Sequence, residues 1–189
     1  VSCELRHKGL GHIFRVVVVY GSSYEEGKAA FISELHSLFV DNHLPTLIGG
    51  DFNLVRNAKE KSNGVINHRW SNNFNAWIEI WGLLEIKLSS RKFTWANNQV
   101  DLIMSTIDRL FCNTDMDALF PLATCRSLPR CGSDHTPLLW DSGVDVQHRK
   151  SSYKMEKWWL LRADFSDLIH KIWSEPNNAA SSLDNWQTK

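Results

Sequence analysis

Apolar positions recur along this chain in two distinct patterns. Phe14 to Tyr20 is an almost unbroken β-branched run that stops at Gly21, which predicts a strand covered on both faces and closed by a turn. From Tyr24 to Val40 the pattern changes: Phe31, Ile32, Leu35, Leu38 and Phe39 follow helical spacing with charge opposite, so an amphipathic helix is expected. Leu47-Ile48-Gly49-Gly50 follows Pro45 and runs into Asp51, the pattern of a strand that ends at a carboxylate. Phe74, Trp77, Ile78 and Trp81 form a second helical stripe, and Gly82 supplies its stop. Short β-like runs follow at Lys92 to Ala96, Thr106 to Cys112 and Thr136 to Trp140. Strands alternating with helices predict an α/β layered domain over residues 1–143. After Trp140 come the turn-rich residues Asp141 to Asp145, so a boundary is placed near Gly143. Residues 144–189 then carry one amphipathic helix, marked by Phe165, Leu168, Ile169 and Ile172 and ending before Pro176.

Composition narrows the class without naming a partner. The 21 Lys plus Arg balance 21 Asp plus Glu, so polyanion binding has to arise from a local site and not from bulk charge. At 43% hydrophobic and 22% charged the chain is an ordinary globular one, neither disordered nor fibrous. Its longest strongly apolar run, Val16 to Tyr20, is far short of the roughly 20 residues of a membrane span, and no membrane partner is expected. Cys3, Cys112, Cys125 and Cys131 form no CxxC pair, and no Asn begins a glycosylation sequon. Reduced thiols and a chain that is not secreted are the expectation. An opening Val with no visible signal peptide suggests a fragment.

Three places carry candidate chemistry. Asp51 and Asn53 stand two residues apart just past a strand, where both heads project to one side; the carboxylate can take a proton from water and the amide can donate to a phosphoryl oxygen. Taken alone, the pair reads more simply as an Asx turn. Ser133-Asp134-His135 puts an acid and an imidazole at the mouth of another strand, suited to a metal-bound phosphate, or simply forms a polar turn. Asp108, inside an apolar strand, must face water or find a buried partner, and a histidine that it orients is the simplest one. Together these are the ingredients of magnesium-assisted phosphate ester cleavage, with manganese as a substitute. Zinc held by Cys125, Cys131 and His135 is the competing reading, but the spacing matches no common zinc pattern. Buried free thiols explain these cysteines more simply.

Val17-Val18-Val19-Tyr20-Gly21, Gly49-Gly50-Asp51-Phe52-Asn53, Phe93-Thr94-Trp95, Thr106-Ile107-Asp108-Arg109 and Ser133-Asp134-His135 occur in the order found in the endonuclease/exonuclease/phosphatase superfamily. Within it the chain most resembles the apurinic-type endonuclease domain of LINE-type (non-LTR) retrotransposons of plants. Residues 153–165 are similar to the connector that leads toward the reverse transcriptase, which would then be a partner in cis. The resemblance implies a DNase I-like, four-layer α/β fold: a two-sheet β-sandwich flanked by helices, with a Mg²⁺ site at one end and DNA as the substrate. It implies that Asp51 activates water, Asn53 donates to the phosphate, Asp134 holds the metal or its waters, and His135, oriented by Asp108, contacts the scissile phosphate. Tyr20 and Thr94 would line the groove. A nuclear location is implied for an active element.

The resemblance also marks a departure. Family members open with strands bearing an Asn and a metal-binding Glu, both upstream of Val1, so this chain corresponds to the later two-thirds of the domain and is incomplete at its N-terminus. Glu4, the only early acid, lacks the surrounding motif. The leading expectation is thus a domain fragment with little activity, against an inactive nucleic-acid-binding remnant or a phosphatase for small esters. Arg56, Lys59, Lys61, Arg91 and Lys92 are candidate phosphate contacts or solvated loop charges. Trp77 and Trp81 are expected in the core, while Trp158 and Trp159 could face a partner or simply be packed.

Overall fold

The computed structural model describes residues 1–9, 11–143 and 164–174. Two units divide the chain, 1–145 and 146–189. In the first, β1 (Ser2–Arg6) and β2 (Ile13–Tyr20) lead through α1 (Glu25–Ser37) to β3 (Thr46–Asp51). A 3-10 turn (Ala58–Glu60), α2 (His68–Ile80) and the short strands β4 (Leu84–Glu85), β5 (Trp95–Ala96) and β6 (Met104–Ser105) follow. The unit closes with β7 (Asp108–Cys112), α3 (Thr114–Leu119), β8 (Thr124–Ser127) and β9 (Leu138–Asp141). In the second unit α4 (Phe165–Ser174) forms over the expected apolar stripe. Most of the resemblance to a connector, with Trp158 and Trp159, lies outside the described residues. No helix among the described residues is long and apolar enough to cross a membrane.

The main sheet runs β1-β2-β3-β7-β4, with β2 and β3 parallel and the other pairs antiparallel. Strand alternation sends Val17, Ile48 and Phe111 to one face, where they meet Phe31, Ile32 and Leu35 of α1 and Phe74, Trp77 and Ile78 of α2. Phe14, Leu47 and Cys112 point to the other face and pack with Met116, Phe120 and Trp140. There the hairpin pairs β5–β6 and β8–β9 lie, connected by a bridge between Trp95 and His135. The result is the expected layered α/β sandwich, with α1 and α2 on the outer face of the main sheet and a second layer made of two separate two-stranded pairs in place of one continuous sheet. Asn67 caps α2 by accepting from the Arg69 and Trp70 amides, and Gly82, at a φ of 57°, ends it, as its left-handed conformation allows.

Several elements depart from the sequence pattern. The strand Phe14 to Tyr20 is not covered on both faces: Val18 is 56% and Tyr20 78% exposed. Beneath Val18 the two sheets leave an open trough of about 340 Å³, floored by Val16, Leu110 and Leu138. The run expected from Thr136 begins instead at Leu138, because Pro137 has no amide to give the ladder. Thr106 and Ile107 fall outside β7 because their amides are taken by the Glu60 carbonyl and the Thr94 hydroxyl. The helix from Tyr24 stops at Ser37, where a tighter turn takes over. Cys112 and Cys125 are buried free thiols as expected, but Cys3 and Cys131 are exposed.

Candidate active site

Register assembles the site. Tyr20 stands opposite Asp51 across the β2–β3 pair, and Asp51 opposite Asp108 across β3–β7. All three occupy the face turned toward the second sheet, two residues on from the trough positions Val18, Gly49 and Leu110. Glu4 is elsewhere: it pairs with Arg15 on the exposed edge strand, five residues, or roughly 16 Å, from Tyr20.

Glycine makes the approach to Asp51 possible. Gly50 has a φ of 142°, and a Cβ there would sit 2.1 Å from the Val19 carbonyl oxygen, so only glycine suits this step. Past the strand, Asn53 takes a left-handed conformation at a φ of 49°. Its backbone amide donates to Asp51 Oδ1 at 2.8 Å, and its side-chain amide donates to Asp51 Oδ2 and to the Gly21 carbonyl, both at 2.9 Å. Both amide hydrogens of Asn53 are therefore engaged inside the site, and a donation to phosphate requires exchange of one of these partners.

His135 arrives from the other sheet. The Thr136 amide donates to the Thr94 carbonyl at 2.7 Å and the Ala96 amide to the Asp134 carbonyl at 3.1 Å, which clips the imidazole into place beside β7. Its Nδ1 lies 3.1 Å from both oxygens of Asp108. On the far side of the ring Nε2 faces Asp51 Oδ2 at 3.9 Å, too far for a direct hydrogen bond but close enough that one oxygen set to the side of the pair can bond to both. Asp51 is 9% exposed. Burial pushes its carboxyl above the ordinary range; the Asn53 amide opposes this, the Asp108 charge adds to it, and His135 and Lys28 oppose it.

Asp134 is exposed and points its Oδ2 to the Trp95 indole N–H at 2.8 Å. That hydrogen bond, more than any other influence, holds the carboxyl below its ordinary range. Thr94 is corrected from groove lining to support: it is fully buried, and its hydroxyl accepts from the Ile107 and Asp108 amides. Tyr20 stays exposed at the rim. Among the described residues no three His, Cys, Asp or Glu side chains converge on a ready metal site. The zinc reading fails on the same ground, and Cys125 is a buried thiol pushed up to about 11 by burial.

Sequence reading missed a charged cluster behind the site. Arg109 is 3% exposed and its guanidinium is held by Glu60 and Glu85, with Arg56 reaching Glu85 at 2.6 Å and Asn75 at 2.8 Å. Arg56 is thereby removed from the candidate phosphate contacts. Arg91 donates to Thr136 Oγ1 and is exposed, as are Lys59 and Lys92, while Lys61 is half-buried.

Two sheets with acids and an imidazole gathered between them at one end define a DNase I-like α/β fold. No family model and no curated protein matches the sequence. Among solved structures the chain is similar to the endonuclease domain of TRAS1, a telomere-specific non-LTR retrotransposon, with a TM-score of 0.52 and 14% identity over 73% of this chain and 60% of that one. A mannosyl-6-phosphatase of Bacteroides thetaiotaomicron gives a TM-score of 0.43 at 16% identity, covering 74% of this chain and 55% of that one. A truncated Caenorhabditis elegans TDP2 gives 0.42 at 12%, covering 73% and 64%. The chain spans less than two-thirds of the length of each.

Proposed function

We propose that the chain is part of a metal-dependent endonuclease domain of a plant LINE-type retrotransposon that hydrolyses DNA phosphodiester bonds. The observation that carries this reading is the row Asp51, His135, Asp108, with an opening of 3.9 Å between Asp51 and the imidazole. Asp108 accepts from Nδ1 and so turns Nε2 toward the place of a phosphoryl oxygen. Asp51, its affinity for protons raised by burial, is suited to take one from an attacking water. Asn53 holds that carboxylate in place, and Tyr20 offers a phenol at the rim.

The resemblance to the endonuclease/exonuclease/phosphatase superfamily implies a divalent metal. Magnesium takes one or two carboxylates and keeps its waters, and Asp134, ionised and exposed, fits such a loose site. A bound ion would neutralise charge on the phosphate. Calorimetric titration with Mg²⁺ or Mn²⁺ should give a weak isotherm that Asp134→Ala abolishes; identical isotherms for both proteins would remove Asp134 from this role.

Turnover by these 189 residues alone is expected to be slight, because one exposed carboxylate is a sparse ligand set. Fusing the opening of a LINE-type endonuclease domain ahead of Val1 should add ligands and raise Mg²⁺-dependent nicking of supercoiled plasmid. A small phosphate ester assayed beside the plasmid tests the chemistry class. Preference for the ester would make the protein a phosphatase, and DNA binding without cleavage by either form would make it a remnant.

A further inference from the structure

The apolar stripe of α1 begins with a cation. Lys28 occupies the position ahead of Phe31, Ile32 and Leu35 at i, i+3, i+4 and i+7, which places it on the buried side of the helix. A half-buried ammonium there requires partners, and its Nζ donates to the Asn53 carbonyl at 2.9 Å and to the Ser22 carbonyl at 3.1 Å. Ser22 ends the turn after β2 and Asn53 the turn after β3. The two turns are also joined directly, through the Gly21 amide on the Asp51 carbonyl and the Asn53 side chain on the Gly21 carbonyl. Gly27 lets the first turn of α1 come this close, because a Cβ there would meet Ser22 Oγ at 2.3 Å.

We propose that Lys28 is a positioning residue of the candidate active site: by tying both turns to α1 it holds Asn53 in its left-handed conformation and so fixes the two hydrogen bonds that present the Asp51 carboxylate. The inference rests on the reading of Asp51 as the group that activates water. Both oxygens of Asp51 are bonded by Asn53, so rotation of that one residue would turn the carboxylate away. Lys28 stops the rotation at the carbonyl, and its charge adds to His135 in favouring ionised Asp51 against burial and Asp108. Burial lowers the affinity of Lys28 itself for its proton, while Glu25 and Asp51 restore part of it. The titratable groups around this pair are thus Glu25 of α1, Asp51 of β3, Asp108 of β7 and His135.

The test uses the full chain and needs no turnover, so it stands or falls apart from nuclease activity. Lys28→Met keeps the stem and removes the ammonium; Lys28→Arg keeps the charge. In Lys28→Met, hydrogen exchange at the Asn53 amide should accelerate about tenfold or more, as expected for loss of a hydrogen bond to a charged group, and the carbon-detected NMR titration of Asp51 should move to higher pH. Lys28→Arg should return the Asp51 titration to near its original position. Lys28→Gln replaces Lys28→Met if that variant does not fold. Unchanged exchange and titration in a folded variant lacking the ammonium would overturn the proposal, as would an Arg variant indistinguishable from Met, which would reduce Lys28 to packing.

Discussion

Arg109→Met should destabilise the protein by about 3–5 kcal/mol, measured as a lower urea or thermal midpoint. The expectation follows from what the change leaves behind. Glu60 and Glu85 bond the Arg109 guanidinium from two sides, at 19% and 16% side-chain exposure; without it two half-buried carboxylates face each other with only Arg56 as a counterion. Removing one member of a buried ion cluster costs far more than the cluster contributes, since desolvation of the remaining charges is no longer offset. The triple replacement Arg109→Met, Glu60→Gln, Glu85→Gln should therefore recover much of the loss. A single variant within 1 kcal/mol of the original would show that water already reaches this cluster.

Asp51→Asn should have two opposite effects. Measured as Mg²⁺-dependent nicking by the proposed fusion, it should lower the rate by roughly 10²–10⁴, the usual contribution of a positioned general base. The same change should raise stability near neutral pH by on the order of 1 kcal/mol, the common gain when a strained functional group is neutralised. Folding raises the Asp51 pKa from its ordinary 3.8, so the native state holds this proton more tightly than the unfolded chain does. The associated stability is fully present below the unfolded value and is lost as pH rises to the folded one. The gain from asparagine should thus appear above that window and vanish below it. Asparagine can accept from the Asn53 backbone amide with its one oxygen, but its NH₂ then meets the NH₂ of the Asn53 side chain, so the loss of that second bond offsets part of the gain. An activity loss accompanied by equal instability at both ends of the pH range would mean that the carboxylate supports the fold and not the chemistry.

Much of the frame was legible because it is written in short-range pattern. The stripes of α1 and α2 and the β-branched run of β2 announce themselves, and acids at strand ends can be gathered only where strands end together. Asp51, Asp108 and His135 accordingly meet at one end of the sandwich. Other features depend on partners distant in the chain. Thr94 reads as a polar groove residue until its hydroxyl is seen receiving two amides from the approach to β7. Arg109 gives no sign of its role, because nothing near it in sequence reveals Glu60 or Glu85. Lys28 was the one missed residue with a local sign, a cation heading an otherwise apolar helical face. The open trough escaped notice because a run of valines implies cover without saying what supplies it.

The charged cluster also governs which side chains reach the candidate site. Arg109 lies opposite Gly50, one step from Asp108 opposite Asp51, and adjacent residues on a strand face opposite ways. Sliding β7 by one position would set Arg109 opposite Asp51, a cation in the place that orients the imidazole, and would drive Asp108 toward the aromatic layer of Phe74 and Trp77. Such a slip is expensive because it breaks every bond of the guanidinium at once. The Asp-Arg pair thus proofreads its own alignment: the residue that does no chemistry makes the mispaired strand too costly to populate, and the acid beside it inherits its place.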